Sequence, residues 1–134
     1  MTKKKLTLEE VRRAIAFDQP KLEATQIGKF IVIEGQFLLL EDVAKASSNG
    51  PITEFDVKII VSDRYPRKEP VVFETASMIP RDIDRHIVNE DGACCVTVWE
   101  EWLAEANDLS FAAYLRGPLR EFFLSQYWFE ETGT

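Results

Sequence analysis

Residues 54–61 alternate with a period of two. Phe55, Val57, Ile59 and Val61 fall on one side, and Glu54, Asp56, Lys58 and the apolar Ile60 on the other. Successive side chains of a strand point to opposite faces, so this run predicts a strand with one face fully buried. Such a strand needs neighbours and a covering layer. Upstream, residues 27–33 and 36–40 predict two short strands broken by a tight turn at Glu34-Gly35. Ser47-Ser48-Asn49-Gly50-Pro51 is the clearest loop. Downstream, residues 63–70 form a turn rich in Pro and charge, and Val71-Val72-Phe73 predicts a further strand. Strands in sequence joined by short loops predict an antiparallel meander.

Helical signals bracket the strands. Thr7, followed by Glu9 and Glu10, predicts an N-cap and first helical turn. Leu8, Val11 and Ile15 then keep one apolar stripe, which Leu22 extends, and Pro20 ends or kinks the helix. Lys3, Lys4, Lys5, Arg12 and Arg13 give its other side a basic cluster. At the far end, Asp108 is expected to cap a helix running towards Phe129, interrupted at Gly117-Pro118. Its expected apolar face is Leu109, Ala112, Ala113, Leu119, Phe122 and Phe123. Residues 79–98 show no sustained period, which is unusual for so long a segment unless it builds a site. The order predicts an α+β fold: a four-stranded antiparallel meander with an N-terminal helix and C-terminal helices packed on one side. At 134 residues, the expectation is one domain over 1–134.

Charge and cysteine usage narrow the chemistry. The 16 Lys and Arg against 23 Asp and Glu leave a net charge of −7, which argues against gripping a phosphate backbone and so against a nucleic-acid partner. No window reaches the ~20 apolar residues of a membrane helix, so no membrane partner is expected. Basic Met1-Thr2-Lys3-Lys4-Lys5 is followed by charged residues where a signal peptide needs an apolar stretch, so the expected location is cytoplasmic. The two cysteines, Cys94 and Cys95, are adjacent. A ring closed between neighbouring residues strains the peptide, so a disulfide framework is not expected. With a single histidine, no conventional zinc site or other metal is implied, and no cofactor. A thiol, a carboxylate or a lone imidazole must carry any chemistry.

The densest constellation runs from Tyr65 to Cys95. Tyr65-Pro66-Arg67-Lys68-Glu69-Pro70 follows the alternating strand, Val71-Val72-Phe73 comes next, and His86 leads to Asn89-Glu90-Asp91-Gly92-Ala93-Cys94-Cys95-Val96. Over roughly residues 5–125 this order resembles the ubiquitin-conjugating enzyme family. That family has a Tyr-Pro-x-x-x-Pro turn after its third strand, an apolar fourth strand, and a histidine-led segment ending in Gly-x-x-Cys-apolar. The resemblance implies a UBC-like fold with the thioester cysteine at Cys95. It also implies that the basic helix, with Lys4, Lys5, Arg12 and Arg13, meets an activating enzyme. The family's His-Pro-Asn places asparagine eight residues before the cysteine; here that position is Ile87, and the nearest asparagine is Asn89. The residues that follow, Trp99-Glu100-Glu101-Trp102, and the reduced C-terminal helices look like the compact bacterial members found in antiphage operons.

A carrier thiol that accepts an acyl group and gives it to an amine needs exposure on an ordered loop, not a contacting base. A protease needs cysteine, histidine and an orienting group within hydrogen-bond reach, and only His86, nine positions before Cys95, is on offer. Cys94 reads as a small core hydrophobe and Cys95 as the reactive thiol. His86 reads first as a structural residue bonding carbonyls of the long coil and second as a proton shuttle. Asn89 is either a turn former or the displaced transfer asparagine. Trp99 and Trp102 either pave a partner surface or pack over the loop. The implied donor is the C-terminus of a ubiquitin-like protein, or of a cyclic-nucleotide synthase in a CBASS-type operon. The alternative is a non-catalytic interaction domain of the same fold, like RWD domains and ubiquitin-conjugating variants, which share the Tyr-Pro turn but normally lack Gly-x-x-Cys.

Overall fold

The computed structural model describes residues 5–39 and 54–132. Helix α1 (Leu8–Asp18) begins where the capping residue requires: the Thr7 hydroxyl accepts from the Glu10 amide at 3.1 Å, and Val11 and Ile15 are buried. The helix stops before Pro20, at Gln19. The Gln19 side chain then acts as a strand rung, donating to the Leu38 carbonyl at 2.9 Å and accepting from the Leu38 amide at 2.7 Å.

Four strands follow in simple order, β1 (Leu22–Ile27), β2 (Phe30–Leu38), β3 (Glu54–Ser62) and β4 (Val71–Glu74), each antiparallel to the next. Leu22 therefore opens β1 and does not extend the α1 stripe. The expected turn at Glu34-Gly35 is also displaced. The chain reverses at Gly28-Lys29, and Glu34 and Gly35 lie inside β2, opposite Lys58 and Val57. A Cβ on Gly35 would overlap the Lys21 carbonyl, so this glycine serves a close backbone crossing. The alternation in β3 holds: Phe55, Val57, Ile59 and Val61 are buried, and their register partners Phe37, Ile33, Ile31 and Val72 lie on the same face. The expected loop over Ser47 to Pro51, residue Leu40, and the basic residues Lys3 and Lys4 lie outside the described residues.

The second layer comes from the C-terminal third. Helix α2 (Trp99–Glu105), absent from the sequence reading, buries none of its own residues fully. Trp99 and Trp102 are partly buried, and the Trp99 indole donates to the Pro66 carbonyl at 3.0 Å. The rings of Trp99, Tyr65 and Tyr114 lie within 5.7–6.3 Å of one another, so the tryptophans pack over the Tyr65 turn. Helix α3 (Phe111–Tyr114) is capped by Ser110, not Asp108; Asp108 instead accepts from the Ser110 amide at 2.9 Å. A π-helical turn (Leu115–Leu119) holding Gly117 and Pro118 continues it into α4 (Arg120–Thr132), so the expected interruption is a widened turn. Proline has no amide hydrogen to donate to the preceding turn, which accounts for a bulge there. Phe123 closes the core, its ring 5.1 Å from Phe37 and 4.6 Å from Phe55. Among the described residues no helix is long and apolar enough to cross a membrane.

Candidate active site

The aperiodic stretch after β4 is organised by a buried carboxylate. Glu74 is fully buried, and its side chain accepts from the Ala76 amide (2.7 Å), the Ile79 amide (3.0 Å) and Arg81 Nη1 (2.6 Å). Arg81 Nη2 also donates to the Glu74 carbonyl at 2.8 Å. These bonds fold residues 74–81 back against the sheet edge. A buried charge is tolerated where this many donors satisfy it.

On that platform residues 86–95 form a tight hairpin. The Gly92 amide donates to the Asn89 carbonyl (3.0 Å), Val88 to Ala93 (2.8 Å) and Cys95 to His86 (2.8 Å). The returning arm continues the sheet beyond β4: the Cys94 amide donates to the Val72 carbonyl at 2.8 Å, and the Glu74 amide to the Gly92 carbonyl at 3.0 Å. Gly92 has φ +88°, and a Cβ there would overlap the Glu74 carbonyl. The glycine of Gly-x-x-Cys thus has a steric reason: any side chain would lift the cysteine arm from β4.

Period two then sorts the side chains. Ile87 and Cys94 pair across the hairpin and turn inward, Ile87 being 2% exposed. His86 and Cys95 form the next rung and are exposed. Burial pushes the Cys94 thiol up to about 12, and its Sγ donates to the Gly92 carbonyl at 3.3 Å. Cys95 is a free, exposed thiol on a fixed backbone.

Cys95 opens onto a cleft of about 260 Å³. One wall is the hairpin with His86 and the residues that follow it, Val96, Thr97 and Val98; the other is Pro118 with Glu121, Phe122 and Ser125. The walls are tied together beneath. Arg85, in the 3-10 turn Ile83–Arg85, donates from Nε to Gln126 Oε1 at 2.8 Å, and the Gln126 amide donates back to the Arg85 carbonyl at 2.8 Å. The Arg85 guanidinium also lies 4.0 Å from the Phe129 ring centroid. The 3-10 turn, and with it His86, is therefore fixed against α4.

The structure brings together Cys95 and His86, and leaves Asn89 outside the cleft lining. Asn89 is exposed at the hairpin corner, with its carbonyl closing the turn. The basic residues are elsewhere. α1 packs on β1, the opposite sheet edge from the hairpin, whose arm lies beyond β4, four strand spacings or ~19 Å away. Arg12 donates to the Ala24 carbonyl at 3.0 Å, Arg13 pairs with Glu9 at 2.7 Å, and Lys5 lies 3.9 Å from Asp63. Lys4 lies outside the described residues. Pro118, Glu121 and Phe122 were not anticipated as cleft residues. Only the placement of α4 against the hairpin joins them to Cys95, and no local motif announces that. Among the described residues no three His, Cys, Asp or Glu side chains gather as a metal site. Comparisons with protein-family models, with curated proteins and with solved structures find no match for this chain.

Proposed function

We propose that this chain is a ubiquitin-conjugating-like acyl carrier with a UBC-like fold. It accepts the C-terminus of a ubiquitin-like protein, or of a CBASS-type cyclic-nucleotide synthase, as a thioester on Cys95 and passes it to an amine, in the setting of bacterial antiphage defence. The observation that carries this reading is the division of labour between the two cysteines. Cys94 is half-buried against the core, with its thiol pKa raised by burial, whereas Cys95 is exposed on a hairpin whose backbone is bonded on both arms. In loading, the Cys95 thiolate attacks the donor's activated carbonyl, a new C–S bond forms, and the previous carrier leaves with its electron pair. The narrow, open cleft beside the thiol suits an extended peptide tail and would hold the acyl group for attack, where positioning supplies much of the rate.

The test is incubation with ATP and the activating enzyme and donor encoded beside the gene. A reducing-agent-sensitive adduct is expected with the wild type and Cys94→Ala, none with Cys95→Ala, and a reductant-resistant ester with Cys95→Ser. Full loading of Cys95→Ala would overturn the assignment. The burial of Ile87, where the family has its asparagine, favours a second reading: a non-catalytic interaction domain of the same fold. Donor binding without any adduct is the outcome that selects it.

A further inference from the structure

We infer that His86 takes the proton from the amine that attacks the Cys95 thioester. The inference rests on the acyl-carrier reading above and assigns the group that completes its transfer step. Cys95 and His86 occupy one rung of the hairpin, joined by the 2.8 Å bond from the Cys95 amide to the His86 carbonyl, and both side chains line the cleft. His86 is held in the left-handed region at φ +61°, a conformation that costs a β-carbon residue ~1–2 kcal/mol. Two sets of bonds enforce it: the His86 amide donates to the Ile83 carbonyl at 3.0 Å, and the Arg85–Gln126 pair clamps the preceding residue to α4. Yet the imidazole makes no hydrogen bond, ion pair or ring contact with any described residue, so a role in bonding the coil's carbonyls does not account for it. A fixed backbone carrying an uncommitted base beside a nucleophile is an arrangement for proton transfer.

The remaining groups support the assignment. Asn89 does not line the cleft and Ile87 is in the core, so neither donates to or accepts from a reacting group there. The only other cleft residue with a strong proton acceptor is Glu121, from the facing wall. On the histidine's own turn, Asp82 caps the Asp84 amide, Asp84 is exposed, and Arg85 is engaged with Gln126 and Phe129. The amine nitrogen attacks the thioester carbonyl and a C–N bond forms. His86 accepts the proton released from that nitrogen. The C–S bond breaks, the electron pair returns to Cys95 as thiolate, and the imidazolium returns the proton to it.

The test bypasses the unknown donor. A synthetic peptide with a C-terminal glycine thioester is exchanged onto Cys95 of the full chain and followed by mass spectrometry. The purified adduct is then discharged to lysine and, separately, to hydroxylamine, which attacks thioesters without a base. In His86→Gln the ratio of lysine to hydroxylamine rates is expected to fall about a hundredfold. His86→Asn, whose side chain tolerates the left-handed backbone, carries the same expectation and replaces the glutamine variant if that one fails to fold. An unchanged ratio in the histidine variant overturns the inference and leaves the carrier standing. Failure of Cys95 to accept the peptide overturns the carrier reading itself.

Discussion

At Cys94 and Cys95 a single step along the chain moves a thiol from a half-buried place against the core to solvent. Because burial holds the Cys94 thiol at about 12, against an ordinary 9.0, its protonated form is favoured by folding. The raised value means the contribution is fully present below pH 9 and is lost as pH rises towards 12. Wild-type protein is therefore expected to lose more stability than Cys94→Ala as alkali increases across that window, read from urea midpoints. Equal pH dependence would show that the Cys94 thiol is not buried in solution. The exposure of Cys95 was legible because Gly92 sets its register. Its cleft partner Glu121 was not, since 26 residues of chain separate the two and only helix packing closes the gap.

Elements with a strong internal period were legible, and those made by tertiary contact were not. The β3 alternation and the Thr7 cap fix their elements locally, and both stand in the structure. Gly35 misled because a glycine in a strand pattern signals either a turn or a close backbone approach, and the neighbour that decides, Lys21, comes from before β1. Helix α2 was missed because none of its residues is fully buried and no side chain caps it, so no apolar stripe marks it. The hairpin over 86–95 owes its order to β4 and Glu74, which are outside it. Gly92→Ala is thus expected to cost about 2–3 kcal/mol, from positive φ together with the overlap against Glu74. The same variant should expose Cys94 to alkylation while Cys95 stays reactive. A urea midpoint unchanged from wild type would mean the arm is not held against β4.

Across the whole molecule, a net charge of −7 coexists with two adjacent arginines on α1, Arg12 and Arg13. The structure gives the two unequal surroundings. Arg12 is tied to the β1 backbone, so its replacement also disturbs packing, whereas Arg13 is 76% exposed and pairs only with Glu9 one turn away. Exposed pairs of this kind contribute ~0.3–0.5 kcal/mol. Arg13→Glu should leave stability nearly unchanged and, under the proposed function, slow loading from the activating enzyme severalfold at low salt. The difference should vanish as salt is raised, because steering acts through screened charge. Loading kinetics that match wild type at low salt would make Arg13 a solvated residue only. The Gln19 amide has a wider consequence. Because one side chain from the end of α1 supplies both hydrogen bonds of the last β2 rung, helix and sheet share a boundary that neither can open alone. Fraying of the helix end would strip two partners from a strand, so the two layers melt as one cooperative unit. An insertion at the α1–β1 junction would break that unit as surely as a cavity in the core.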